Sequence, residues 1–161
     1  MSIAYIALGA NLGQPAQQLR AALLALARVP ELELLAQSPL YRTAPLGPAD
    51  QPHYCNAVCK VKTNLTPEAL LDRLLALERA AGRLRSEDRW GPRLLDLDLL
   101  HVEGEQRDTP QLQLPHPGIA QRNFVLIPLA DVAPALVIPN VGRIDELAQK
   151  LGRSGLEPWS E

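Results

Sequence analysis

Aromatic residues are scarce in this chain: one Phe, two Trp and three Tyr in 161 residues. Its core must therefore be built from Leu, Val, Ile and Ala, and each ring stands out as a candidate ligand contact. Cysteine is scarcer still, with Cys55 and Cys59 alone. On one strand their backbones lie about 13 Å apart at ~3.3 Å per residue. A disulfide needs Cα atoms within about 7 Å, and a zinc site would want further Cys or His nearby. Both read as buried thiols. Positive charge is not in excess: sixteen basic and eighteen acidic residues leave a net charge of −2, which argues against a nucleic-acid partner. Long apolar runs are missing too. Ile3–Leu8 is too short for a signal or membrane-spanning core, and no basic stretch precedes it. The reading is a cytoplasmic protein with no membrane partner. No repeat or low-complexity tract occurs. The Gly9-Ala10-Asn11-Leu12-Gly13 stretch lacks the Lys-Ser/Thr that closes a phosphate-binding P-loop and is not GxGxxG. A plain strand-to-helix turn is its simpler account.

What is present is an ordinary globular composition, 47% hydrophobic and 21% charged. The length fits one domain over residues 1–161. A domain of this size buries roughly two-thirds of its unfolded surface, enough to fold without a disulfide or metal staple.

The pattern alternates short strands and helices. Ile3–Leu8 reads as a strand, and Pro15 opens a helix with Leu19, Leu23 and Leu26 on one face. Leu32–Ser38 is a second strand. Thr43–Pro52 is a proline-rich loop, long enough to be a binding loop. Tyr54–Thr63 is a third strand, with Cys55, Ala57, Cys59 and Val61 on one face and Tyr54, Asn56 and Val58 on the other. Thr66-Pro67-Glu68 starts a helix: an N-cap hydroxyl, a proline in the first turn and an acid by the positive end. It runs to Ala81 and ends at Gly82. Leu94–Val102 is a strand, Glu103-Gly104 a turn, and Leu112–Leu114 a short returning strand. Phe124–Val132 and Ile144–Leu151 are the last helices. Strands outnumber one-to-one alternation with helices and hairpins are present, so the fold class is α+β with a mainly antiparallel sheet.

The chemistry concentrates in residues 83–100. Asp96 and Asp98 are two apart on a strand, so both carboxylates leave one face while Leu95, Leu97 and Leu99 enter the core. Adjacent like charges repel and lose hydration. Either neighbouring arginines neutralise them or a divalent cation does, and an oxygen-only pair suits Mg²⁺. Arg83, Arg85, Arg89 and Arg93 stand close by, beside only Glu87 and Asp88. They form either a solvated loop or a set of guanidinium groups for a polyphosphate. Gly82 and Gly91 would let that segment move as a lid. Tyr54, Trp90 and Phe124 adjoin polar sequence and are either core residues or faces for a flat heterocycle. Asn56 offers a paired donor and acceptor for an amide-like ring edge. His116, between Pro115 and Pro117, is a turn histidine or a phosphate contact. Trp159, near the C-terminus, is expected to report little on the site.

These residues fall into blocks that resemble the 6-hydroxymethyl-7,8-dihydropterin pyrophosphokinase family over nearly the whole length. The carriers begin with Tyr5-Ile6-Ala7-Leu8-Gly9-Ala10-Asn11-Leu12-Gly13, Tyr41-Arg42-Thr43-Ala44-Pro45 and Asn56-Ala57. They continue with Arg89-Trp90-Gly91-Pro92-Arg93-Leu94-Leu95-Asp96-Leu97-Asp98, then Pro115-His116-Pro117 with Arg122 and Phe124. The resemblance implies a ferredoxin-like core with helices on both sides of the sheet, and two Mg²⁺ ions on Asp96 and Asp98 with ATP as co-substrate. It implies ATP phosphates against Arg83, Arg93, His116 and Arg122, with Arg83, Arg93, Asp96 and Asp98 as the catalytic set. The pterin would lie between Tyr54 and Phe124, bonded by Asn56 and the backbone of Thr43, Ala44, Pro45 and Leu46. Trp90, Arg85 and Arg89 would belong to a closing loop on the nucleotide side. Glu78 matches a family position there as well, though by itself it reads as a surface residue. Ser86 stands where some members have Lys, and Pro117 where some have an aromatic.

The implied reaction is in-line attack by the pterin hydroxymethyl oxygen on the β-phosphorus of ATP, releasing AMP, a step of folate biosynthesis. The proton acceptor stays open between Asp98 and water. The chain reads as a monofunctional monomer acting on small molecules. Two rivals share the acids and arginines: a kinase transferring the γ-phosphate, and a non-catalytic metal-and-anion binder.

Overall fold

In the computed structural model, residues 1–43, 53–82 and 95–160 are described. Five strands and two helices build the core: β1 (Ser2–Ala10), α1 (Pro15–Arg28), β2 (Leu32–Gln37), β3 (Tyr41–Thr43), β4 (Tyr54–Thr63), α2 (Pro67–Ala80) and β5 (Asp96–Val102). Two short hairpins follow, β6 (Arg107–Asp108) with β7 (Gln113–Leu114) and β8 (Val137–Ile138) with β9 (Gly142–Arg143). Between and after them lie α3 (Asn123–Val132), α4 (Ile144–Leu151) and β10 (Leu156–Pro158).

The main sheet runs β10-β3-β4-β1-β5, with β2 on β4 beside β3, and every pairing is antiparallel. Both β1–α1–β2 and β4–α2–β5 return the chain parallel to its starting strand with one strand between. The order β2-β4-β1-β5 is the ferredoxin-like interleaving of two such units, and the fold is α+β as the pattern implies.

Strand phase sends side chains to two faces. Ala4, Ile6 and Leu8 of β1, Cys55, Ala57, Cys59 and Val61 of β4, and Leu97 and Leu99 of β5 meet the apolar stripes of α1 and α2. Thr66 caps α2 by accepting from the Ala69 N–H at 3.1 Å, so the sequence signal for that helix start is realised. Burial pushes the Cys59 thiol pKa up to about 12, and both cysteines are buried and not joined in a disulfide. The second face carries Tyr5, Tyr41, Val58 and Leu100 under α3 and α4. Helices therefore cover both sides of the sheet.

Three elements differ from the pattern reading. Tyr41–Thr43, at the mouth of the proline-rich stretch, is a strand because β4 is long enough to pair with it beyond β2. Leu156–Pro158 adds a strand to β3, and the Trp159 backbone N–H donates to the Leu40 carbonyl at 3.0 Å. Trp159 is therefore no free end: it packs on the core, with the Arg42 guanidinium 4.8 Å from its ring centroid. The short strand at Gln113–Leu114 pairs with Arg107–Asp108 rather than joining the main sheet.

Candidate functional site

The second face changes character along its strands. Apolar cover by α3 and α4 reaches Val58, Tyr5 and Leu100. Beyond it the register aligns Tyr41, Asn56, Gly9 and Asp96 in one row across β3, β4, β1 and β5. The next row holds Ala7 opposite Asp98. Asn56 and Asp96 are thus two strand spacings apart, roughly 10 Å, with a glycine between them.

That glycine is a site feature the sequence reading passed over as a turn. A Cβ on Gly9 would stand 3.0 Å from the Asn56 side-chain oxygen, tight enough to displace it. Asn56 is buried, and its Nδ2 donates to Thr43 Oγ1 at 2.6 Å. This bond fixes which way the amide points and leaves its oxygen toward Gly9. Tyr54 pairs with Thr43 across β3 and β4. Phe124 lies in the first turn of α3, which packs on β4. Thr43, Tyr54, Asn56 and Phe124 therefore belong to one side of the sheet.

At the other end of the row, β5 presents Asp96 half-buried and Asp98 exposed, while Leu95, Leu97 and Leu99 are buried as their spacing predicts. His116 is fixed against this strand: its backbone N–H donates to the Leu100 carbonyl at 2.8 Å, and its ring Nδ1 accepts from the Gly118 backbone N–H at 3.1 Å. Burial lowers the His116 pKa; the Asp98 charge opposes that and the Arg122 charge adds to it. Arg122 lies across Gly118, where a Cβ would meet its guanidinium carbon at 2.8 Å. Asp98, His116 and Arg122 thus converge from three places in the chain.

Glu78 is not the surface residue its position suggested. It is 3% exposed, and its Oε2 accepts from the Leu97 N–H at 2.7 Å, between the two acids. It also lines a pocket of about 470 Å³ that runs from Asp98 and His116 along β5 to Leu75 and Leu112. Leu70, Leu74 and Glu78 form one i, i+4, i+8 stripe on α2, a signal from which its burial was legible.

Ala44, Pro45, Leu46, Arg83, Arg85, Arg89, Trp90 and Arg93 lie outside the described residues, as does the segment expected to act as a lid. Among the described residues, no three His, Cys, Asp or Glu side chains come together as a metal-ligand set. Two neighbouring carboxylates beside an open pocket fit a hard cation that keeps waters and shares itself with phosphates, which is the habit of Mg²⁺. No described helix is long and apolar enough to cross a membrane.

Comparison with known proteins identifies the family and supports the fold. The profile of the 7,8-dihydro-6-hydroxymethylpterin-pyrophosphokinase (HPPK) family matches residues 5–134. The 2-amino-4-hydroxy-6-hydroxymethyldihydropteridine pyrophosphokinase of Pseudomonas aeruginosa is 49% identical over 153 residues, covering 95% of this chain and 94% of that protein. The protein of the same name from Haemophilus influenzae is 45% identical over 150 residues, covering 93% of each. Among solved structures, Plasmodium falciparum HPPK-DHPS with pteroate superposes with a TM-score of 0.74 at 16% identity. That match spans 92% of this chain and 42% of the longer one, and at such identity it speaks for the fold alone.

Proposed function

The chain belongs to the 7,8-dihydro-6-hydroxymethylpterin-pyrophosphokinase family, and we propose that the row from Asn56 to Asp96 is where its two substrates meet. The activity is ATP-dependent transfer of pyrophosphate to 6-hydroxymethyl-7,8-dihydropterin in folate biosynthesis. One observation carries the assignment of the site: an amide reader and a carboxylate pair stand on one face, separated only by a residue without a side chain.

In this reading Asn56, oriented by Thr43, holds the amide-like edge of the pterin, and Tyr54 and Phe124 bracket the ring. The backbone of residues 43–46 completes that contact by the family resemblance. The hydroxymethyl group then lies toward Asp96 and Asp98. The pocket along β5 receives ATP, with His116 and Arg122 beside its phosphates. Arg83 and Arg93 join them by sequence position, as do Arg85, Arg89 and Trp90 on the nucleotide side.

Asp96 and Asp98 would hold Mg²⁺, two ions by the resemblance; when bound, the metal neutralises phosphate charge and aligns the polyphosphate. The pterin hydroxymethyl oxygen attacks the β-phosphorus and gives its proton to Asp98 or to water, the bond from that phosphorus to the α,β-bridging oxygen breaks, and AMP leaves. Asn56 and the aromatic pair orient the nucleophile. His116 and Arg122 supply donors where negative charge builds on the phosphates. The reading is of a monomer working as one domain over residues 1–161.

Incubation with ATP, Mg²⁺ and the reduced pterin, followed by identification of the nucleotide product, tests this directly. AMP is expected. ADP would mean γ-transfer, and absence of turnover would leave only a binding role.

A further inference from the structure

A carboxylate at position 78 is costly for α2. The stripe of Leu70 and Leu74, both fully buried, calls for a third apolar residue there. Burying a carboxylate loses hydration. Its place near the helix C-terminus also sets it against the negative end of the helix dipole. Helix packing therefore does not explain Glu78, but its contact with β5 does.

β5 is the outer strand of the main sheet, paired to β1 on one side. Its outward N–H and C=O groups have no strand partner among the described residues, and such an edge is free to slip or bulge. It does bulge: the register with β1 shifts between Tyr5 and Ile6, so Leu100 is an extra residue. The acids sit just upstream of that irregularity. Glu78 Oε2 takes the Leu97 N–H at 2.7 Å, at the one residue that separates Asp96 from Asp98. His116 holds the edge again at Leu100, 2.8 Å from N–H to carbonyl.

We propose that Glu78 is a positioning residue: by gripping the Leu97 amide it holds the backbone between Asp96 and Asp98 extended, and so sets the separation and direction of the two carboxylates. This rests on the reading of that pair as the Mg²⁺ site. The grip depends on an acceptor oxygen at the right reach and not on negative charge.

Two conservative variants separate reach from charge. Glu78→Gln keeps the oxygen at the same distance and removes the charge. Glu78→Asp keeps the charge and is one methylene short. Mn²⁺ serves as the probe, titrated by paramagnetic resonance or calorimetry in the presence of a non-hydrolysable ATP analogue. Hydrogen exchange at the Leu97 amide is followed in the metal-free protein. Glu78→Asp should exchange that amide faster and bind Mn²⁺ about tenfold or more weakly, the usual scale for losing an outer support of a metal site. Its kcat should fall while the pterin KM holds. Glu78→Gln should restore slow exchange and Mn²⁺ affinity. If Glu78→Gln is as impaired as Glu78→Asp, charge is what matters and the proposal fails. It fails equally if Glu78→Asp frees the amide but binds Mn²⁺ normally. Asp98→Ala is the control: should it bind Mn²⁺ like the parent, the metal reading has fallen, and the role of Glu78 with it.

Discussion

The two faces of the main sheet are made by the same strands and do opposite work. On one, α1 and α2 close over a continuous apolar layer, and Cys55 and Cys59 lie buried inside it. On the other, α3 and α4 cover only part of the strands, and the end beyond them carries Asn56, Gly9, Asp96 and Asp98. The closed face serves stability alone, whereas the other divides along its strands into a buried core at Tyr5, Val58 and Leu100 and the chemistry beyond it. A substitution on the closed face should therefore harm stability and spare chemistry, and one at the far end of the other face should do the reverse.

The sharpest break of that rule would come at the acids. Asp96→Ala or Asp98→Ala should reduce turnover at least ~10²-fold, about 2.7 kcal/mol at 1.36 kcal/mol per tenfold. Thermal midpoints should stay level or rise, because one of two repelling charges is gone. Near-normal rates at excess Mg²⁺ would end the assignment.

The opposite pole is Leu74, fully buried under the closed face. Leu74→Ala should cost about 2–5 kcal/mol of stability by chemical denaturation. The kcat should stay close to the parent's at a temperature where the variant is folded. A large loss of kcat there would show the faces to be coupled.

Gly9 tests the row itself. Gly9→Ala puts a methyl 3.0 Å from the Asn56 oxygen. The pterin KM should rise about tenfold, the worth of one hydrogen bond of ~1–1.5 kcal/mol, with the ATP KM unchanged. An unaltered pterin KM would move the pterin away from this row.

Phe124→Ala should weaken pterin binding by ~0.5–1.5 kcal/mol for the lost ring contact and leave ATP affinity nearly alone, each ligand titrated separately by calorimetry. Loss of ATP affinity with intact pterin binding would overturn the aromatic bracket. The smallest effect concerns the thiols. Burial raises the Cys59 pKa to about 12, so at pH 8 Cys59 is almost entirely the neutral thiol in the folded protein. Alkylation should be negligible until denaturant is added; reaction at the rate of free cysteine would mean the closed face opens.

Much of this was legible before any coordinates. The alternation in Tyr54–Val61 and Leu95–Leu99 assigns each side chain to its face, and the Thr66 cap and the Ile144–Leu151 helix stand where their signals put them. Glu78 was misread although its stripe with Leu70 and Leu74 was visible, because a carboxylate is expected in water. The strands at Tyr41–Thr43 and Leu156–Pro158 carry no periodicity of their own at three residues each. Their existence depends on what β4 and β3 offer them.

By itself the sequence determined which residues face together within each strand and helix, and which side chains bear chemistry. Those properties follow from the geometry of adjacent peptides, where period two and period 3.6 are local. Only the tertiary structure decided that Gly9 stands between Asn56 and Asp96, that His116 lies near both Asp98 and Arg122, and that Glu78 holds Leu97. Those facts depend on register between strands distant in the chain and on hydrogen bonds to an open sheet edge, which no local pattern encodes.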